Sequence, residues 1–183
     1  DADHMGTFRD PVNRHALCNH LDHIISMIYG IREAIGPKVD LAIDCHGDFD
    51  LPTATTLAKE LENARLLFLE DPVPDEVIDA MAQVNAISST PICTGENFYY
   101  SHSFRELLEK RAASVLMPDI TKAGGLMELK RIADLAGGYS VPVAPHNVSS
   151  PLGMMAGCHA LSTVPNFLLL EVHGREIPWW NDL

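Results

Sequence analysis

Basic residues are scarce: 13 lysines and arginines stand against 25 aspartates and glutamates, a formal charge of -12 over 183 residues. With no Lys/Arg cluster, the chain has no means of tracking a phosphate backbone by charge, which excludes ordinary nucleic-acid binding. An anionic small molecule is repelled too, unless a metal ion or buried cations reverse the field locally. Cysteine is sparse. Cys18, Cys45, Cys93 and Cys158 are scattered with no Cys-x-x-Cys pair, which argues against a zinc site and for reduced, buried thiols in a cytoplasmic protein. No apolar run is long enough for a membrane span, and the first residues do not read as a signal peptide. Low-complexity tracts and internal linkers are missing. The 46% of apolar residues suffices for one sizeable core, so residues 1–183 are expected to form one domain.

What the chain does have is a strong alternation. Six short apolar runs, Val39–Asp44, Leu66–Glu70, Pro91–Gly95, Ser114–Pro118, Val141–Ala144 and Phe167–Glu171, have the length and two-sided hydrophobicity of buried parallel strands. Helical spacing fills the intervals. Asp10-Pro11 supplies an N-cap and a first-turn proline, Leu17, Leu21, Ile24, Ile28 and Ile31 form a stripe, and Gly36-Pro37 stops it. Further helices are expected over 52–63, 76–88, 101–110, 124–136 and 151–161. Met27, Met81, Met127, Met154 and Met155 fall in helices, where core packing is the default. Trp179 and Trp180 follow a proline after the last strand. Strand–helix units imply an α/β fold with right-handed crossovers. Both an open doubly wound sheet and a (β/α)-barrel fit. Six strands do not close an eight-stranded barrel, so the barrel reading requires strands upstream of Asp1.

The strand ends carry the chemistry. In order they present Asp44, Glu70, Glu96, Asp119, His146 and Glu171, at intervals of 26, 26, 23, 27 and 25 residues. Parallel barrel strands bring such ends to one face. Any one acid after a strand reads equally well as the N-cap of the next helix, and Asp48, Asp50 and Asp71 suit that role better. A ring of carboxylates repels itself without a cation. Asp44, Glu70 and Glu96 offer an all-oxygen donor set, which favours Mg2+ over zinc. His146 is the natural general base, with Asp119 one strand back to orient its imidazole.

The motifs Asp-Cys-His-Gly at 44–47, Leu-Glu-Asp-Pro at 69–72, Gly-Glu-Asn at 95–97, Pro-Asp-Ile-Thr-Lys-Ala-Gly-Gly at 118–125, Ala-Pro-His-Asn at 144–147 and Leu-Glu at 170–171 resemble the mandelate racemase subgroup of the enolase superfamily. The resemblance implies a (β/α)7β barrel with Asp44, Glu70 and Glu96 as Mg2+ ligands, Asp119 and His146 as the catalytic dyad, and Glu171 as the acid bonded to the enediolate oxygen. It implies substrate-positioning roles for Asn97 and Lys122. His46, two residues after the first ligand, is similar to the histidine of galactonate-type acid-sugar dehydratases that protonates the departing hydroxyl; the competing reading is an orienting group. On this resemblance the N-terminal capping domain and first strands lie outside the chain, which opens on Asp-Ala-Asp-His without a methionine. The segment 1–10 would then be a loop after the second strand, in which Asp3, His4 and Arg9 could touch substrate; the competing and favoured reading is a solvated loop.

The expectation is a Mg2+-dependent dehydratase of a sugar acid in a cytoplasmic homo-oligomer. A racemase or epimerase is the alternative, since a base missing upstream would serve the second face of the alpha carbon. A non-catalytic barrel fragment is the alternative outside enzymology. A phosphate-binding open sheet has only Ala-Gly-Gly at 123–125 in its favour.

Overall fold

A computed structural model describes residues 14–173, 177, 179 and 180. The Asp10-Pro11 helix start and Asp3, His4 and Arg9 therefore lie outside the described residues. The chain divides into two compact units, Asp1–Cys93 with Lys110–Ala113, and Thr94–Glu109 with Ser114–Leu183.

The first unit holds α1 (Cys18–Ile35), β1 (Ile43–Asp44), α2 (Leu51–Glu60), β2 (Leu69–Glu70), α3 (Ile78–Ile87) and the first two residues of β3 (Ile92–Thr94). β1 pairs with β2 in parallel, Asp44 opposite Glu70, and β2 pairs with β3 in parallel, Glu70 opposite Cys93. β2 and β3 are buried, as strands of a parallel sheet covered on both faces are, whereas β1 is half-buried; β1 and β2 each end on an acid. Asp50 starts α2, its carboxylate accepting from the Thr53 N–H at 2.9 Å, with Pro52 in the first turn. The core of this unit is built on Leu57, Leu61, Leu69, Met81 and Ile92. Arg32 locks the end of α1 by donating to the carbonyls of Ala64, Gly36, Val39 and Arg65.

The second unit holds Thr94, α4 (Tyr100–Glu109), β4 (Val115–Leu116), the short α5 (Ile120–Ala123), α6 (Leu126–Gly138) and α7 (Pro151–Leu161). Met117 N–H donates to the Thr94 carbonyl, and single parallel bridges join Leu116 to Val143 and Val143 to Phe167. α6 buries Leu129, Ile132, Ala133 and Ala136, the helical stripe expected of a core-facing face. Phe104, Leu107 and Leu116 complete this core.

Several expectations are corrected. The runs Val141–Ala144 and Phe167–Glu171 form bridges rather than strands, because Pro142 and Pro145 remove the N–H groups on either side of Val143–Ala144. In α1 only Ile24 and Ile28 are buried; Leu17 is the exposed N-cap and Ile31 is exposed. Met81 is fully buried, whereas Met27, Met127 and Met155 fall outside the buried stripes of their helices and face solvent. Cys45 and Cys93 are buried thiols, but Cys18 and Cys158 are exposed. The helix expected over 124–136 is preceded by α5, which ends at Gly124 in a left-handed conformation. Of the three acids offered as caps, Asp50 is one; Asp48 and Asp71 begin no helix.

Candidate active site

In the first unit the strand ends deliver Asp44, His46 and Glu70. The loop after β1 turns back sharply, with His46 and Gly47 at φ +50° and +66°. Gly47 is required there, since a Cβ would stand 3.1 Å from Pro74 Cα. This turn folds His46 onto its own strand end: its backbone N–H donates to Asp44 Oδ1 at 2.9 Å, and its Nε2 lies 2.9 Å from Asp44 Oδ2. His46 Nδ1 is buried without a hydrogen-bond partner among the described residues. Glu70 and Asp71 are buried carboxylates at the end of β2. Their field reaches the neighbouring thiols. Burial, then the charges of Asp44, Asp71 and Glu70, push Cys45 well above the usual thiol range; burial and the same three carboxylates do so for Cys93. Both sulfurs are thus held as thiols, unsuited to ligate a metal as thiolates. Beside the His46 imidazole, which is turned onto Asp44, the donors at these strand ends are the hard carboxylate oxygens of Asp44, Glu70 and Asp71, a chemistry that fits a divalent hard cation such as Mg2+.

In the second unit the centre is His146. Its Nδ1 lies 2.7 Å from Asp119 Oδ2, its Nε2 lies 2.9 Å from Glu96 Oε2, and Glu171 Oε2 stands 3.8 Å from Nε2. Gly95 makes the Glu96 placement possible: at φ +140° a Cβ would meet Phe104 Cε1 at 2.9 Å and Met117 N at 3.1 Å. Asn97 donates to Glu96 Oε1 at 3.2 Å, and Lys122 Nζ donates to Asn97 Oδ1 at 2.8 Å. Asn147 holds the last acid, its N–H donating to Glu171 Oε2 at 2.8 Å and its amide to the Glu171 carbonyl at 3.2 Å.

Asp119 does two things at once. Its Oδ1 caps α5, accepting from the Thr121 N–H at 2.6 Å, the Thr121 hydroxyl at 2.5 Å and the Lys122 N–H at 3.3 Å. Its Oδ2 is thereby turned to His146. Burial works against its charged form, but hydrogen bonds from His146 and Thr121 lower Asp119 to about 2. Burial likewise opposes the His146 cation, yet hydrogen bonds to Asp119 and Glu96, with the charges of Glu96 and Glu171, raise it to about 10.

The structure thus gathers Glu96, Asn97, Asp119, Lys122 and His146 into one hydrogen-bonded set, with Glu171 3.8 Å from the imidazole, and Asp44 with His46 into another. Among the described residues no three His, Cys, Asp or Glu side chains are assembled into a metal-holding cluster; Asp44 and Glu96 each close on an imidazole instead. Sequence reasoning missed Thr121 and Asn147. Their signals were the Asp-x-Thr spacing of a capped turn and the residue after the candidate base.

Comparison with known proteins decides the lineage. Residues 5–183 match the family model described as enolase C-terminal domain-like. The chain belongs to this family. Within the enolase C-terminal domain-like proteins it is 43% identical over 178 residues to a D-xylonate dehydratase of Haloferax volcanii, covering 97% of this chain and 43% of that protein. It is 37% identical over 139 residues to a D-galactonate dehydratase of Ralstonia pickettii, covering 76% of this chain and 36% of that protein. A solved mandelate racemase/muconate lactonizing enzyme-like protein from Rubrobacter xylanophilus shares 46% identity and a TM-score of 0.92, over 97% of this chain and 45% of that one. The chain spans less than half the length of the curated relatives it matches. The parallel α/β fold and the expected enolase-superfamily membership are borne out.

Proposed function

We propose that residues 1–183 form the C-terminal catalytic barrel region, incomplete at its N-terminal side, of a Mg2+-dependent sugar-acid dehydratase acting in the cytoplasm. The observation that carries this reading is the buried His146, held at Nδ1 by Asp119 and presenting Nε2 beside Glu96 and Glu171. The dehydratase names of two relatives support the reaction class.

Asp44, Glu70 and Glu96 are the residues assigned to Mg2+, on their all-oxygen chemistry and on the family resemblance. When bound, the ion supplies positive charge against the substrate carboxylate as charge develops beside it. His146 takes the alpha proton at Nε2, which requires its neutral form there; Asp119 keeps the other proton on Nδ1. With Glu96 holding the ion, the contact between its carboxylate and His146 Nε2 would be weakened. Glu171 sits beside the same nitrogen to bond the enediolate oxygen. His46 gives a proton to the departing beta hydroxyl, which leaves as water, and the enol product ketonises to a 2-keto-3-deoxy acid. Asn97 and Lys122, chained to Glu96, position the substrate.

The test is mass spectrometry of acid sugars, D-xylonate and D-galactonate among them, incubated with the protein and Mg2+ in heavy water. Loss of one water with deuterium incorporation supports the reading. Alpha deuteration without water loss in every substrate turned over would replace it with a racemase or epimerase.

A further inference from the structure

Asp119 is 2% exposed, so each of its oxygens needs a donor from the protein. Oδ2 has His146; Oδ1 has two backbone N–H groups and one hydroxyl. Capping of α5 is accomplished by the N–H groups alone, because the hydroxyl is no orphan of the helix end. Thr121 is itself exposed, so its hydroxyl has water available as a partner. It nevertheless lies 2.5 Å from Asp119 Oδ1. A third donor on the same oxygen fixes the carboxylate plane, and with it the direction of Oδ2.

We infer that Thr121 is a positioning residue for the dyad, its hydroxyl fixing the Asp119 carboxylate so that Oδ2 receives the His146 Nδ1 proton. Thr121 does not touch the reacting atoms; it acts through Asp119. The inference rests on the dyad of the proposed reaction, but its geometry is testable without substrate. It also separates Thr from its near-isostere Val at this position, since Val keeps the backbone donors and the shape while losing the hydroxyl. Serine keeps the hydroxyl.

The test is proton NMR of the 15N-labelled chain. The low-field Nδ1–H resonance of His146 is assigned by its loss in His146→Asn. In Thr121→Ser it keeps its wild-type position. In Thr121→Val its exchange with water speeds by about tenfold, the size expected for one lost hydrogen bond to a charged group, while circular dichroism and the melting temperature stay near wild type. Thr121→Ala gives the same result by a second route. A wild-type resonance and exchange rate in both Val and Ala variants would overturn the inference. Loss of the resonance only together with native circular dichroism would overturn it too, making Thr121 a structural residue. The proposed reaction fails separately, by unchanged alpha deuteration in His146→Asn on a substrate that the wild type turns over, and that failure leaves the NMR outcome standing.

Discussion

Replacing Asp119 by asparagine should separate the two duties of this residue. The amide keeps the shape of the carboxylate but has one acceptor and one donor. Three donors, the Thr121 N–H, the Thr121 hydroxyl and the Lys122 N–H, converge on the Oδ1 position, while only His146 Nδ1 faces Oδ2. The amide oxygen therefore stays at the crowded position and the NH2 turns to His146. An imidazole facing a donor at Nδ1 must accept there, so its proton moves to Nε2, the nitrogen that the mechanism needs as a base. The cap survives, asparagine and aspartate being comparable there. The catalytic loss is that of a wrong tautomer, on the order of 10⁴-fold where the same change has been made in a Ser-His-Asp triad. The assay is alpha-deuterium incorporation in heavy water with Mg2+ and an acid sugar that the wild type turns over. Exchange at the wild-type rate, in a variant that keeps its native circular dichroism, would refute the reasoning and return Asp119 to the rank of a helix cap.

Glu96→Gln removes a charged oxygen from the assigned Mg2+ site and should weaken Mg2+ binding by about tenfold or more; isothermal titration with unchanged affinity removes Glu96 from the ligands. Gly95→Ala forces a Cβ to 2.9 Å from the Phe104 ring at φ +140°, and should cost about 3 kcal/mol, read as a melting temperature lower by about 6–12 °C. Asp50→Ala should cost about 1 kcal/mol at neutral pH by loss of the α2 cap. Burial opposes the charged form of Asp50, but hydrogen bonds from Thr53 and His15 hold it below the ordinary carboxylate range. A depressed pKa contributes stability that is present above the unfolded value near 3.9 and is lost as pH falls through the folded value. The gap between wild type and Asp50→Ala should therefore close below about pH 4 in thermal melts, and a constant gap would show that the charged cap contributes nothing.

Much of this architecture was legible because burial writes itself into composition. The apolar runs predicted where β1 and β2 stop, at Asp44 and Glu70, and contained β3 and β4; the helices expected over 124–136 and 151–161 are present as α6 and α7. Pairing length was not legible, since hydrophobicity does not count ladder hydrogen bonds and Pro142 and Pro145 shorten the ladder locally. Methionine exposure was not legible either: Met127 is one position off a stripe that only the packed helix defines. At the site, the strand-end spacing brings Asp119, His146 and Glu171 together, with Asp119 2.7 Å and Glu171 3.8 Å from the imidazole. The bond from the Thr121 hydroxyl and the closing of Asp44 onto His46 depend on loop dihedrals, and sequence spacing does not encode them.

At Asp119 the choice between helix cap and functional acid, which the sequence poses for each strand end, is not exclusive. Asp50 and Asp119 each cap a helix through one oxygen, and each sets its other oxygen within 2.8 Å of a histidine Nδ1. What differs is burial. His15 and Asp50 have side chains 58% and 31% exposed, His146 and Asp119 only 8% and 3%. An exposed pair gains little in high dielectric, about 0–1 kcal/mol, and salt screens it. A buried, hydrogen-bonded pair is screened far less and is directional, at about 1.5–3 kcal/mol for the bond to a charged group. Two double-mutant cycles to alanine, followed by thermal melts in low salt and in roughly 1 M salt, where the Debye length shrinks to about 3 Å, test this comparison. The His15–Asp50 coupling should vanish in high salt, and the His146–Asp119 coupling should persist. Equal salt sensitivity would mean that burial does not distinguish the two pairs, and that the dyad owes its character to some other feature of the strand ends.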